Sequence, residues 1–195
     1  QTLLTDLTGN GNAISGGDAT SYPASNAFNK LNSMWISKQV GTNLIRSGYI
    51  GYDFGVIKLP NGRNRYGVDA GIYHEITAIK IKQSAQAFQR VAKVRVERSN
   101  DNITWYGVAV LTLPDDGDIH TLYFKQSAPS RYWRLRPVEF NGGDCDSWGV
   151  LALELIQHAL TDISNIEDKI LLENRNRDYS TTPITLKGYY DIQQT

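Results

Sequence analysis

The feature that most limits what this chain can fold into is a repeated alternation of apolar and polar residues, cut at short intervals by turn signals. In "VAKVRVER" (91–98) Val94 and Val96 share one side, and Arg95 and Glu97 the other. In "RYWRLRPV" (131–138) Trp133 and Leu135 face one way, and Tyr132, Arg134 and Arg136 the other. "EITAIKIK" (75–82) and "IHTLYFK" (119–125) repeat the pattern. A period of two with β-branched and aromatic residues predicts half-buried antiparallel strands. "SNDN" (99–102), "PDDGD" (114–118), "SAPS" (127–130) and "FNGGDCD" (140–146) punctuate them with residues that bond to nearby backbone or tolerate left-handed dihedrals.

The stretch "VRVERSNDNITWYGV" (94–108) therefore reads as a hairpin whose return strand begins at Trp105 and Tyr106. About eight strands are expected, over 2–7, 49–55, 75–82, 91–98, 103–112, 119–125, 131–138 and 149–157. Short strands so spaced indicate a sandwich or a barrel. The glycine-rich "GNGNAISGG" (9–17) precedes no helical pattern and reads as a flexible lead-in. After residue 158 the pattern changes. Ile163, Ile166, Ile170 and Leu171 recur at helical spacing behind a Ser164–Glu167 capping box, and "YSTTPITLKGYYDIQQT" reads as an extended arm. The division expected is a β-sandwich domain over 1–157 and a helix with an arm over 158–195.

Twenty basic and twenty acidic side chains cancel, so bulk charge argues for neither a nucleic-acid nor a membrane-surface partner. No run of eighteen apolar residues offers a membrane span, and the first residues show no basic flank followed by an apolar block. The one cysteine, Cys145, excludes an internal disulfide.

Six pieces, in order, resemble the discoidin (coagulation factor 5/8 type C) domain and its galactose-binding-like relatives, which include many carbohydrate-binding modules. They are "ASNAFNKLNSMW" (24–35), "YIGYDFG" (49–55), "ITAIKI" (76–81), the 94–108 hairpin against the family's Ser-x-Asp-Gly-x-x-Trp, "SRYWRLRP" (130–137) and "LALELIQ" (151–157). The chain departs from the family in Asn29-Lys30 for Asp-Gly, in Asn102 for the hairpin glycine, in the insertion 58–74 and in lacking the disulfide that joins the ends. The resemblance implies an all-β fold, a jelly-roll sandwich with ligands held in loops at one end.

Relatives often wrap a structural calcium ion in the first of these loops. Carried over, its ligands would be Ala27, Asn29, Asn32, Ser33 and Glu154, set against a loop held by hydrogen bonds alone with Lys30 nearby. Sugar binding needs an aromatic face against the apolar side of a ring and polar groups for its hydroxyls. Tyr22, Arg46, Asp144, Asp146 and Trp148 are the candidates, with Trp35 and, in the insertion, Tyr66 and Tyr73. The competing reading makes the tryptophans core residues, and it is the stronger one for Trp105 and Trp133, which sit in strand patterns.

Catalysis finds no motif. There is no His-Glu-x-x-His, no Gly-x-Ser-x-Gly and no phosphate loop, and His74, His120 and His158 are scattered. Asp115–Asp116 and Asp144/Asp146 lie in turns, where Asp serves the backbone. The expectation is a non-enzymatic protein. An arm after a jelly roll is typical of interlocking virion subunits, which gives the first reading: a structural component of a bacteriophage tail, fibre or baseplate. It would be homo-oligomeric through 158–195, located in the virion, and able to attach to host surface glycan. The alternatives are a carbohydrate-binding module of a bacterial glycan-degrading enzyme, secreted or at the cell surface, and a purely structural connector.

Overall fold

A computed structural model describes residues 4–9, 11–30, 33–57, 71–125, 127–140 and 147–158. The expected helix and arm over 158–195 lie outside the described residues, apart from the backbone of His158 at the end of the last strand. Residues 4–158 form one compact unit. Among the described residues its strands are β1 (Leu4–Asp6), β2 (Asn12–Ser15), β3 (Trp35–Ile36), β4 (Ile50–Asp53), β5 (Ala78–Gln83), β6 (Val91–Ser99), β7 (Tyr106–Thr112), β8 (Ile119–Tyr123), β9 (Tyr132–Phe140) and β10 (Gly149–His158). All pair antiparallel in two five-stranded sheets. The first sheet runs β1-β10-β5-β8 with β3 also on β10, and the second runs β2-β4-β9-β6-β7.

The alternation decides the layers. Val94, Val96, Trp133 and Leu135 of the second sheet are buried, as are Ile79, Ile81, Leu153 and Leu155 of the first. Trp35, Trp133 and Trp148 are fully enclosed, and truncating such a residue costs roughly 3–5 kcal/mol. Trp35 and Trp148 meet edge to face with centroids 5.5 Å apart.

One buried side chain ties the sheets together. Gln83, at the end of β5, accepts from the backbone N–H of Val91 (3.0 Å) and from Trp148 Nε1 (3.0 Å) through Oε1. Its Nε2 donates to the Val91 carbonyl at 3.2 Å. Val91 lies where the β6–β9 ladder slips register, so this amide serves backbone groups beside a break in the ladder.

The 99–102 hairpin forms as expected. Asn102 takes a left-handed φ of 59°, and Asp101 Oδ1 accepts from the N–H groups of Ile103 (2.8 Å) and Thr104 (2.7 Å). Those bonds hold the Asp101 carboxyl far below the usual carboxylate range.

Two expectations change. The lead-in 9–17 contains β2, whose Asn12–Ser15 backbone pairs with the free edge of β4. A seven-residue helix, α1 (Gly41–Ser47), precedes β4, with Leu44 fully buried as its anchor. Neither segment has a periodic pattern of its own. Both are fixed by what the sandwich offers them, a strand edge in one case and an apolar hole in the other.

Candidate functional site

The topology gathers one set of connections at one end of the sandwich. There β2 ends, β3 leads through α1 into β4, and β9 ends before β10 begins. Arg46 lies in the last turn of α1 with its side chain exposed. Tyr22, 41% exposed, sits on the β2–β3 connection just after Ser21, whose φ is +68°. Asp144 and Asp146 belong to the β9–β10 connection and lie outside the described residues, as does Tyr66.

Two of the expected sugar contacts are corrected. Trp148 does not face solvent: it is fully buried, donates from Nε1 to Gln83, and its backbone N–H donates to Ser37 Oγ at 2.9 Å. Trp35 is equally buried and donates from Nε1 to Asp18 Oδ1 at 2.8 Å. Both indoles have polar partners inside, which lets them close the core without an orphaned N–H. Tyr73, 49% exposed, belongs to the β4–β5 connection at the opposite end and is not brought to Tyr22 and Arg46.

In the first loop, the described side chains expected to bind calcium have protein partners. Ala27 is buried in a 3-10 turn (Ala24–Phe28). The Asn29 amide is paired with the Ser33 hydroxyl through both its nitrogen (2.8 Å) and its oxygen (3.1 Å). Glu154 Oε1 lies 3.4 Å from Lys80 Nζ. Lys30, at a left-handed φ of 56°, carries its ammonium to 2.8 Å from Asp6 Oδ2. The hydrogen bond and charge of Asp6 raise the Lys30 pKa, and Glu154 adds to the effect. The Lys30 ammonium thus pairs with Asp6, and the side-chain oxygens of Asn29 and Ser33 are taken up with each other, whereas calcium needs six to eight hard oxygen donors. Asn32 lies outside the described residues. No group of three or more His, Cys, Asp or Glu fit to hold a metal occurs among the described residues.

The sequence reading passed over a different cluster. On the outer face of the second sheet, Arg134 lies between two aromatic rings, its guanidinium carbon 3.8 Å from the Trp105 centroid and 4.9 Å from that of Tyr49. Its Nε donates to Glu97 Oε2 at 2.7 Å, and Arg136 Nη1 stands 3.6 Å from Glu97 Oε1. Burial pulls the Arg134 pKa down, and Glu97 opposes that shift. Gly51 makes room beneath: a Cβ there would stand 2.2 Å from the Trp133 carbonyl and 2.7 Å from Arg134 Cβ. Arg136 Nη2 donates to the carbonyls of Ile45 (3.2 Å) and Arg46 (3.3 Å), fastening the end of α1 to this face. The sequence did show Arg95 and Glu97 on one side of their strand and Arg134 and Arg136 on one side of theirs. It did not show that the two strands are neighbours.

No family model matches the sequence, and no curated protein matches it. Solved structures do. The galactose-bound family 32 carbohydrate-binding module of C. perfringens NanJ is similar with a TM-score of 0.58 at 14% identity, covering 80% of this chain and 100% of the module. Chitosan-binding module 1 of a Paenibacillus chitosanase/glucanase gives 0.56 at 17% identity, covering 78% and 98%. The family 32 module of AlyQ, solved with 4,5-unsaturated mannuronic acid, gives 0.55 at 13% identity, covering 80% and 99%. At such identities the likeness speaks to architecture alone: the fold is a two-sheet antiparallel jelly-roll sandwich like that of these modules.

Proposed function

We propose that residues 4–158 act as a non-catalytic carbohydrate-binding module that fixes the chain to a glycan. One observation carries this reading: the sandwich matches modules named for, or solved with, sugars over 98% or more of their own length. The exposed Tyr22 ring would lie against the apolar side of a pyranose, and Arg46, with Asp144 and Asp146 of the β9–β10 connection, would bond to its hydroxyls. Each contact is weak, so useful retention comes from several copies or several modules acting together.

The setting that we favour is a module carried by a bacterial glycan-active enzyme, the company in which the chitosanase/glucanase module and AlyQ are found. The phage-tail reading rests on 158–195, outside the described residues, and the similarities lend it no support. Affinity electrophoresis in gels containing galactan, chitosan or alginate tests the proposal. Retardation by at least one polymer, weakened by Tyr22→Ala or Arg46→Ala, is expected. Free migration of the intact chain through all three, with a glycan array also blank, would leave a structural connector as the better account.

A further inference from the structure

The outer face of the second sheet carries more arginine than carboxylate where β6 and β9 lie side by side. Arg95 and Arg136 stand directly opposite each other across β6 and β9, and Glu97 stands opposite Arg134. Like charges in direct register repel, so the arrangement is unfavourable unless an anion lies between them. Glu97, 5% exposed, supplies one. It is already engaged by Arg134 at 2.7 Å and approached by Arg136 at 3.6 Å. Three guanidiniums against one carboxylate leave two formal positive charges on this patch.

The three arginines are not equally committed. Arg134 is held by Glu97, Trp105 and Tyr49. Arg136 spends Nη2 on the α1 carbonyls. Arg95 is exposed and has no hydrogen bond or ion pair among the described residues. Beside it opens a cavity of about 300 Å³ lined by Ile45, Arg95, Glu97, Arg136, Pro137 and Val138. That volume is at the small end of ligand sites, the scale of one sugar ring. Its walls are apolar on the α1 and Pro137–Val138 sides and cationic on the Arg95 and Arg136 side.

We propose that this cavity binds the anionic group of an acidic saccharide, a uronate carboxylate or a sugar sulfate. The planar Arg95 fork would take two anion oxygens, Arg136 Nη1 would turn from Glu97 to share the charge, and Ile45, Pro137 and Val138 would face the ring's C–H surface. Tyr22 is not among the residues that line the cavity. The site rests on the glycan-binding reading only for the kind of polymer that carries the anion.

The test compares binding of the intact chain to polygalacturonate, alginate, a sulfated galactan and neutral galactan by calorimetry at low salt. Two variants accompany it. Arg95→Gln removes the free fork. Lys93→Gln removes a partly exposed cation on the same strand, paired with Glu139 at 2.5 Å, as the charge control. At least one acidic polymer is expected to bind, with affinity falling as salt rises. Arg95→Gln should weaken that binding by about tenfold or more, the worth of a charge-assisted bond, and leave neutral galactan unaffected. Lys93→Gln should change it less than twofold. Equal losses in the two variants, retention by Arg95→Gln, or no acidic polymer bound at low salt would each overturn the proposal. The uronate and sulfate arms tell the two sources of the anion apart. Loss of neutral-galactan binding on Tyr22→Ala bears on the module reading alone.

Discussion

Gln83 is where the two sheets depend on a single side chain. Replacing it with Met keeps length and approximate volume but removes both the amide oxygen and the amide nitrogen. Three buried partners then lose their bonds: the Val91 N–H, the Val91 carbonyl and Trp148 Nε1. Val91 and Trp148 are both fully enclosed, so water has no easy way in to replace the amide. A buried polar group left unpaired costs about 1–3 kcal/mol, and the apolar methionine recovers part of this by better solvation of its own surroundings. The expected net loss is about 3–5 kcal/mol. For a domain of this size that lowers Tm by roughly 10 °C. Urea unfolding followed by tryptophan fluorescence reads both the loss and the local change, since Trp148 is itself one of the released partners. A midpoint shift worth less than about 1 kcal/mol, with an unchanged m-value and an unaltered native spectrum, would show that the amide is not the tie that the geometry makes it.

Other outcomes follow from the same structure. Glu97→Ala strands Arg134 and Arg136 on a nearly buried face and should cost about 3 kcal/mol, and a double-mutant cycle with Arg134→Ala should return a coupling above about 1 kcal/mol. Calcium at millimolar concentration, or its chelation, should leave Tm unchanged, because Lys30 already pairs with Asp6; a rise of several degrees with calcium would restore the metal reading. His74, half-buried with its ring against Phe54, has its pKa lowered by burial, so the fold favours the neutral ring. Its contribution is complete above about pH 6.5 and is lost as pH falls through the lower folded value, and the decline in denaturation midpoint between pH 7.5 and 5 should flatten in His74→Gln. Asp101 works in the same direction at lower pH: its folded pKa is depressed, so the hairpin loses that support only below about pH 4, and the protection of the Ile103 and Thr104 amides, relative to their intrinsic exchange rates, should fall there.

The eight expected strands are all present, because each carries its own instruction. Val94 and Val96 against Arg95 and Glu97, or Trp133 and Leu135 against Arg134 and Arg136, mark an inner and an outer face whatever the partner strand is. Turn chemistry is equally local: Ser99, Asp101 and Asn102 close their hairpin with bonds spanning two or three residues. β2 and α1 escaped notice because their stability is borrowed from the edge of β4 and from the hole that Leu44 fills. Of the expected site residues, Tyr22 and Arg46 are exposed, whereas Trp148 is turned inward. A tryptophan beside a polar loop has the same local sequence whether its ring is a platform or a plug.

By itself, then, the sequence determined the alternation, the turns and hence a sandwich of antiparallel strands, since these follow from contacts between near neighbours in the chain. Tertiary structure alone decided that β6 lies beside β9. That adjacency brings Arg95 to Arg136 across about forty residues, sets Glu97 between the arginines and roofs the cavity with α1. Charge clusters of this kind are made by strand order, and strand order is set by how two whole sheets bury their inner faces together.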